Sequence, residues 1–141
     1  MATRTSNAVW TGKLKTGRGT MKTGSGALDA RYSAGSRFEN EQGTNPEELI
    51  GAAHAGCFSM ALANELDEAG YEPKEIKTTA EVRLDKIEGG FKISSIRLKT
   101  EAKVDGADNA AFQEIAGKAK TGCPVSEALK SVPIELDARL I

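Results

Sequence analysis

Aromatic side chains are scarce in this 141-residue sequence: one tryptophan, two tyrosines and four phenylalanines. Rings carry much of the buried area in a domain this small. A chain so thinly supplied is expected to gain further burial by forming a homodimer. An excess of one charge is also missing. Lys plus Arg number 19 against 20 Asp plus Glu, a formal charge of −1. That balance removes the basic surface expected of a protein that binds nucleic acid or an anionic membrane. No apolar run approaches the roughly 20 residues of a membrane span, and the longest, 49–63, is interrupted by His54. The opening MATRTSN has no apolar stretch of a secretory signal, so a cytoplasmic location is expected. Histidine occurs once and cysteine twice, at Cys57 and Cys123, a spacing that is neither CxxC nor a zinc ribbon. One His and two scattered Cys make a poor zinc set, and neither a metal nor a cofactor is expected.

What is present reads as a single α+β domain over 1–141. Residues 1–44 form a glycine-punctuated meander of short strands around 8–10, 19–22 and 28–32. A long helix begins at Pro46, a residue suited to the first helical position, with Asn45 as its cap. Glu48 stands where a capping-box acid closes back on Asn45. The helix should run to about Glu68 and stop at Gly70. From Leu49 to Ala63 every face is apolar or small, which predicts a helix buried all round. Two period-two segments, 77–84 and 91–104, flank Glu88-Gly89-Gly90 and read as a hairpin. Phe91 and Ile93 are out of phase with Ile96, which places a bulge at Ser94-Ser95. A second helix starts near Asp108, turns Phe112, Ile115 and Ala119 inward and ends at Gly122. Cys123-Pro124 opens a short third helix to about Lys130, and Ile134 to Leu140 forms a last strand. Strands, helix, hairpin, helices and strand in that order are α+β.

The cysteines differ in setting. Cys57 lies three turns inside the apolar helix, where a thiol commonly acts as a small hydrophobe and burial raises its pKa. The helix dipole fades within the first turn, so only a cation from elsewhere in the fold would make it a nucleophile. Cys123, just before Pro124, faces the free N–H groups of a helix start, which favour a thiolate or merely tolerate a cap. His54 shares a helix face with Cys57 and is expected to pack beside the thiol or bond to backbone.

Residues 36–62, SRFENEQGTNPEELIGAAHAGCFSMAL, followed by 120–126, KTGCPVS, resemble the OsmC/Ohr family of osmotically inducible and organic hydroperoxide resistance proteins. The likeness extends over nearly the whole chain, includes Leu84-Asp85-Lys86, and is better to the osmotically inducible branch. The resemblance implies an intertwined homodimer acting as a thiol peroxidase on organic hydroperoxides, with two sites at the subunit interface. It assigns the peroxidatic thiol to Cys57, the resolving thiol to Cys123, the activating guanidinium to Arg37 and the acid that orients it to Glu47. It also implies a dithiol reductant, dihydrolipoamide or a lipoyl protein. In the hydroperoxide resistance branch the arginine comes earlier, which gives Arg18 a claim against its plainer reading as a solvated turn charge. Phe38, Ile50, Phe58 and Met60 would favour an alkyl hydroperoxide over hydrogen peroxide, unless they serve packing alone. Ten residues of helix rise about 15 Å, so Glu47 and the arginine it holds are expected to act on the partner's Cys57. The alternative is a redox-sensing or partner-binding stress protein that uses the same cysteine pair.

Overall fold

The computed structural model describes residues 1–141. The chain forms two compact units, Met1–Leu49 and Ile50–Ile141. In the first, β1 (Ser6–Thr11), β2 (Arg18–Thr23) and β3 (Asp29–Tyr32) make an antiparallel sheet in the order β1-β2-β3. Gly19 is required where β2 passes the Trp10 and Tyr32 rings, whose centroids are 5.4 Å apart. A Cβ there would meet Tyr32 at 2.6 Å and Trp10 at 2.7 Å.

A short helix that periodicity does not announce follows, α1 (Ala34–Phe38). Its signal is a capping box built from two serines. The Ser36 N–H donates to Ser33 Oγ at 3.0 Å, and the Ser33 N–H donates back to Ser36 Oγ at 2.8 Å. Five residues, of which only Phe38 is large and apolar, offer no apolar stripe, and so no helical period.

The long helix, α2 (Pro46–Glu68), begins and ends as expected. Asn45 Oδ1 accepts from the Glu48 N–H at 2.8 Å, and Gly70 takes a left-handed φ of +88° beyond the last turn. The Glu48 carboxylate does not close the box on Asn45. It accepts instead from the Thr44 hydroxyl at 2.8 Å.

In the second unit, β4 (Pro73–Ile87) and β5 (Gly90–Val104) form the hairpin, and β6 (Ile134–Leu140) pairs parallel to β5. The register passes from Arg83 opposite Ser95 to Leu84 opposite Ile93, leaving Ser94 as the bulged residue. On β5 the period-two positions Ile96, Leu98, Thr100, Ala102 and Val104 are all buried. They meet Phe58, Leu62 and Leu66 of α2 and Phe112, Ile115, Ala116 and Ala119 of α3 (Asn109–Gly122) in one core. Asp108 caps α3 by accepting from the Ala111 N–H at 2.8 Å. The last helix, α4 (Pro124–Ala128), is shorter than expected.

Burial of α2 on every face is corrected. His54, Phe58, Leu62 and Leu66, spaced four apart, are fully covered, whereas Ala52, Ala53, Gly56 and Met60 on the other side are exposed. Both faces are apolar, and one chain covers one of them. No helix is long and apolar enough to cross a membrane.

Candidate active site

Arg37 and Glu47 are brought together by the polar turn between α1 and α2. Ser36 Oγ donates to the Thr44 carbonyl at 2.7 Å, and Asn45 Nδ2 donates to the Ser36 carbonyl at 3.1 Å. The Thr44 N–H donates to Arg31 at the end of β3. Gly43 sits at φ +126°, and a Cβ there would lie 2.8 Å from the Arg31 carbonyl oxygen, so the turn is closed to other residues. On this frame Arg37 Nη2 donates to Glu47 Oε1 at 2.7 Å, and Nε reaches the same carboxylate at 3.1 and 3.3 Å. Glu47 is only 7% exposed. Desolvation strengthens such a fork-like pair and fixes its orientation. The guanidinium carbon lies 5.4 Å from the Phe38 ring. Nη1 takes no part in holding Glu47 and remains for another group. Arg18 is exposed at the first residue of β2 and has no carboxylate partner.

Within the second unit, α2 and the start of α4 bring the cysteines together. They are 66 residues apart in the chain, yet their sulfurs are 3.0 Å apart and share a hydrogen bond. Both are free thiols, Cys123 buried and Cys57 half-buried. Cys57 opens on a depression of about 520 Å³ lined by Met60, Ala61, Asn64, Glu65, Gly122 and Pro124. Phe58 belongs to the core at 0% exposure and cannot face a substrate. Met60 does line the depression.

The two sulfurs are electrostatically unequal. Burial pushes the Cys57 thiol above its usual range, the bond to Cys123 raises it further, and the Val125 N–H offsets only part of this. Burial acts on Cys123 in the same direction, but the neighbouring Cys57 thiol and the polar hydrogens of Ser126 and Val125 at the start of α4 outweigh it. Cys123 therefore lies below the ordinary thiol range. Read within its own unit, Cys57 is the less acidic thiol of the pair and lacks a cation that would activate it.

His54 makes no hydrogen bond to a thiol or to backbone. Its Nε2 lies 2.6 Å from Ser126 Oγ, and burial lowers its pKa, keeping the ring neutral. No three His, Cys, Asp or Glu side chains gather as a metal site. The residues that sequence reasoning missed are Val125 and Ser126. A signal existed for the second: Cys123 and Ser126 repeat the three-residue spacing of His54 and Cys57.

The family pattern described as OsmC-like protein matches residues 39–137 of this chain, a span that holds Glu47 and both cysteines and begins just after Arg37. Peroxiredoxin OsmC of Escherichia coli is 55% identical over 134 residues, covering 94% of this chain and 93% of that protein. Organic hydroperoxide resistance protein OhrB of Bacillus subtilis is 34% identical over 103 residues, 72% of this chain and 74% of its own. Among solved structures, an organic hydroperoxide resistance protein from Elizabethkingia anophelis superposes with a TM-score of 0.75 at 27% identity, covering 99% of both chains. The α+β architecture is shared with these proteins.

Proposed function

Since the chain belongs to the OsmC-like protein family, we propose that it is a cysteine-based peroxidase that reduces organic hydroperoxides, and hydrogen peroxide more weakly, through Cys57 and Cys123. One observation carries the reading: two free thiols from distant parts of the chain stand 3.0 Å apart beside an open depression. That placement permits a disulfide without rebuilding the fold. The Cys57 thiolate attacks the terminal peroxide oxygen, the O–O bond breaks, and the alcohol leaves after its alkoxide takes a proton. Cys57 becomes a sulfenic acid. The Cys123 sulfur then displaces the sulfenic oxygen as water and forms the Cys57–Cys123 disulfide before further oxidation can occur. A dithiol, dihydrolipoamide or a lipoyl protein, restores both thiols by exchange.

Arg37 supplies the missing cation in this scheme, because a guanidinium keeps its charge when desolvated and also stabilises the departing alkoxide. Glu47 holds it in orientation. The working form is a homodimer in which Arg37 and Glu47 of one subunit serve Cys57 of the other. The exposed apolar face of α2, with Met60 at 76% exposure, supports this assembly. Contiguous apolar surface of that kind commonly marks an interface.

The test is the Cys123→Ser protein. With one equivalent of an alkyl hydroperoxide it should accumulate a sulfenic acid on Cys57, seen as a single added oxygen by intact mass, and should overoxidise in excess. Unmodified protein after treatment would remove Cys57 as the peroxidatic thiol.

A further inference from the structure

The Arg37–Glu47 pair joins the end of α1 to the first turn of α2, and both side chains have several rotatable bonds with which to part. Between them in the chain stands Asn45, whose side-chain amide is used at both ends. Oδ1 accepts from the Glu48 N–H at 2.8 Å, closing the first turn of α2 around Glu47. Nδ2 donates to the Ser36 carbonyl at 3.1 Å. The orientation of the amide is forced, because both partners are main-chain groups. The Glu48 N–H can only donate and the Ser36 carbonyl can only accept.

That carbonyl belongs to the peptide that links Ser36 to Arg37, at the end of α1, where the last carbonyls of a helix lack partners of their own. The Gly35 carbonyl, one residue earlier, takes the Glu39 N–H at 3.0 Å, and the Ser36 carbonyl takes Asn45. One planar group thus fixes both the peptide leading into Arg37 and the turn carrying Glu47. Ser36 is 5% exposed, and its hydroxyl donates to the Thr44 carbonyl at 2.7 Å. The peptide is therefore gripped on two sides. The capping end does not require asparagine, since aspartate and serine cap a helix as well. Neither has a donor to offer the Ser36 carbonyl.

We infer that Asn45 is a positioning residue for Arg37: its amide nitrogen, separately from its cap, keeps the guanidinium against Glu47 before a hydroperoxide arrives. This rests on the peroxidase cycle proposed above, in which Arg37 serves Cys57. A guanidinium on a free side chain gives up rotamer freedom each time it meets a charge. Held between two helices it has already done so, and charge fixed in advance is what stabilises a transition state. Ser36, Arg37, Asn45 and Glu47 all lie within the first compact unit, so the pair is complete without any residue of the second.

The experiment compares Asn45→Asp and Asn45→Ser with the parent, all full-length and in a Cys123→Ser background. Asn45→Asp is nearly isosteric, keeps the capping oxygen and sets a second oxygen against the Ser36 carbonyl. Asn45→Ser keeps the cap without adding charge. Helix content and melting temperature should stay close to the parent's in both. The Arg37 Nε–H proton resonance, identified by its absence in Arg37→Lys, should be resolved in the parent at pH 7 and lost to solvent exchange in both variants. Oxidation of Cys57 by an alkyl hydroperoxide at pH 7 should slow about tenfold in Asn45→Asp, the loss of one hydrogen bond, and by a smaller factor in Asn45→Ser. In both, the rate should rise from pH 7 to 9, where the parent is flat. A retained Nε–H resonance, or the parental rate and flat profile, in Asn45→Ser would overturn the inference. A lowered melting temperature with a flat profile would make Asn45 structural only and overturn it as well. Loss of the resonance in the variants of a protein whose parent form is not oxidised by hydroperoxide would count against the peroxidase cycle and leave the positioning of Arg37 standing.

Discussion

Replacing Arg37 with alanine is expected to slow oxidation of Cys57 by an alkyl hydroperoxide roughly 10²–10³-fold at pH 7, the usual effect of removing an electrostatic group aimed at developing charge. The reason lies in the sulfur itself. An ordinary thiol of pKa 8.5 is only about 3% thiolate at pH 7, and burial pushes Cys57 higher still. Its place deep in α2 excludes help from the helix dipole. Only the thiolate attacks, so the rate must rise with pH through the Cys57 pKa. With the guanidinium in place that rise is complete below neutrality and the profile is flat from pH 7 to 9. Without it, the rate should be low at pH 7 and climb steadily toward alkaline pH. Rapid-mixing oxidation in a Cys123→Ser background measures both quantities. An unchanged rate and profile would remove Arg37 from the site, and the same loss in Arg18→Ala would transfer the role to Arg18.

Mixing two inactive proteins should restore activity. Glu47 and Arg37 are bound to each other, and Glu47 stands in the first turn of an unbroken helix that carries Cys57 further along. Ten residues of helix rise about 15 Å, too far for the pair to serve the Cys57 of its own chain without a break. A Cys57→Ser subunit combined with an Arg37→Ala, Glu47→Ala subunit places both intact halves at one interface of the mixed dimer. At random exchange about a quarter of the parental activity should return, because half of the dimers are mixed and one of their two symmetry-related sites is whole. Confirmed mixed dimers without activity would refute the trans arrangement.

Most of the framework could be read from local patterns. The hairpin and its bulge followed from the phase change between Ile93 and Ile96, which a one-residue shift in the pleat requires. The α3 boundaries followed from Asp108 and the spacing of Phe112, Ile115 and Ala119. Where pattern gave way to contact between distant residues, legibility ended. The α1 helix is too short and polar for a period, and it is fixed by serine hydroxyls and the Thr44 carbonyl. The two faces of α2 are equally apolar in composition, so no moment distinguishes the one that a single chain covers. The Ser126 bond to His54 joins residues 72 apart, and its physical reason, a buried imidazole needing a partner, becomes visible only when both helices are in place. Arg37 and Glu47 were accessible through family likeness, and their pairing through a turn that Gly43 and Ser36 close.

Catalytic turnover through Cys57 is measured most directly by NADH oxidation coupled through dihydrolipoamide dehydrogenase and lipoamide to reduction of cumene hydroperoxide. Sustained turnover with a kcat/KM above that for hydrogen peroxide, lost in Cys57→Ser, is the expected result. No turnover from protein whose two thiols titrate as free, or activity that survives Cys57→Ser, would contradict it.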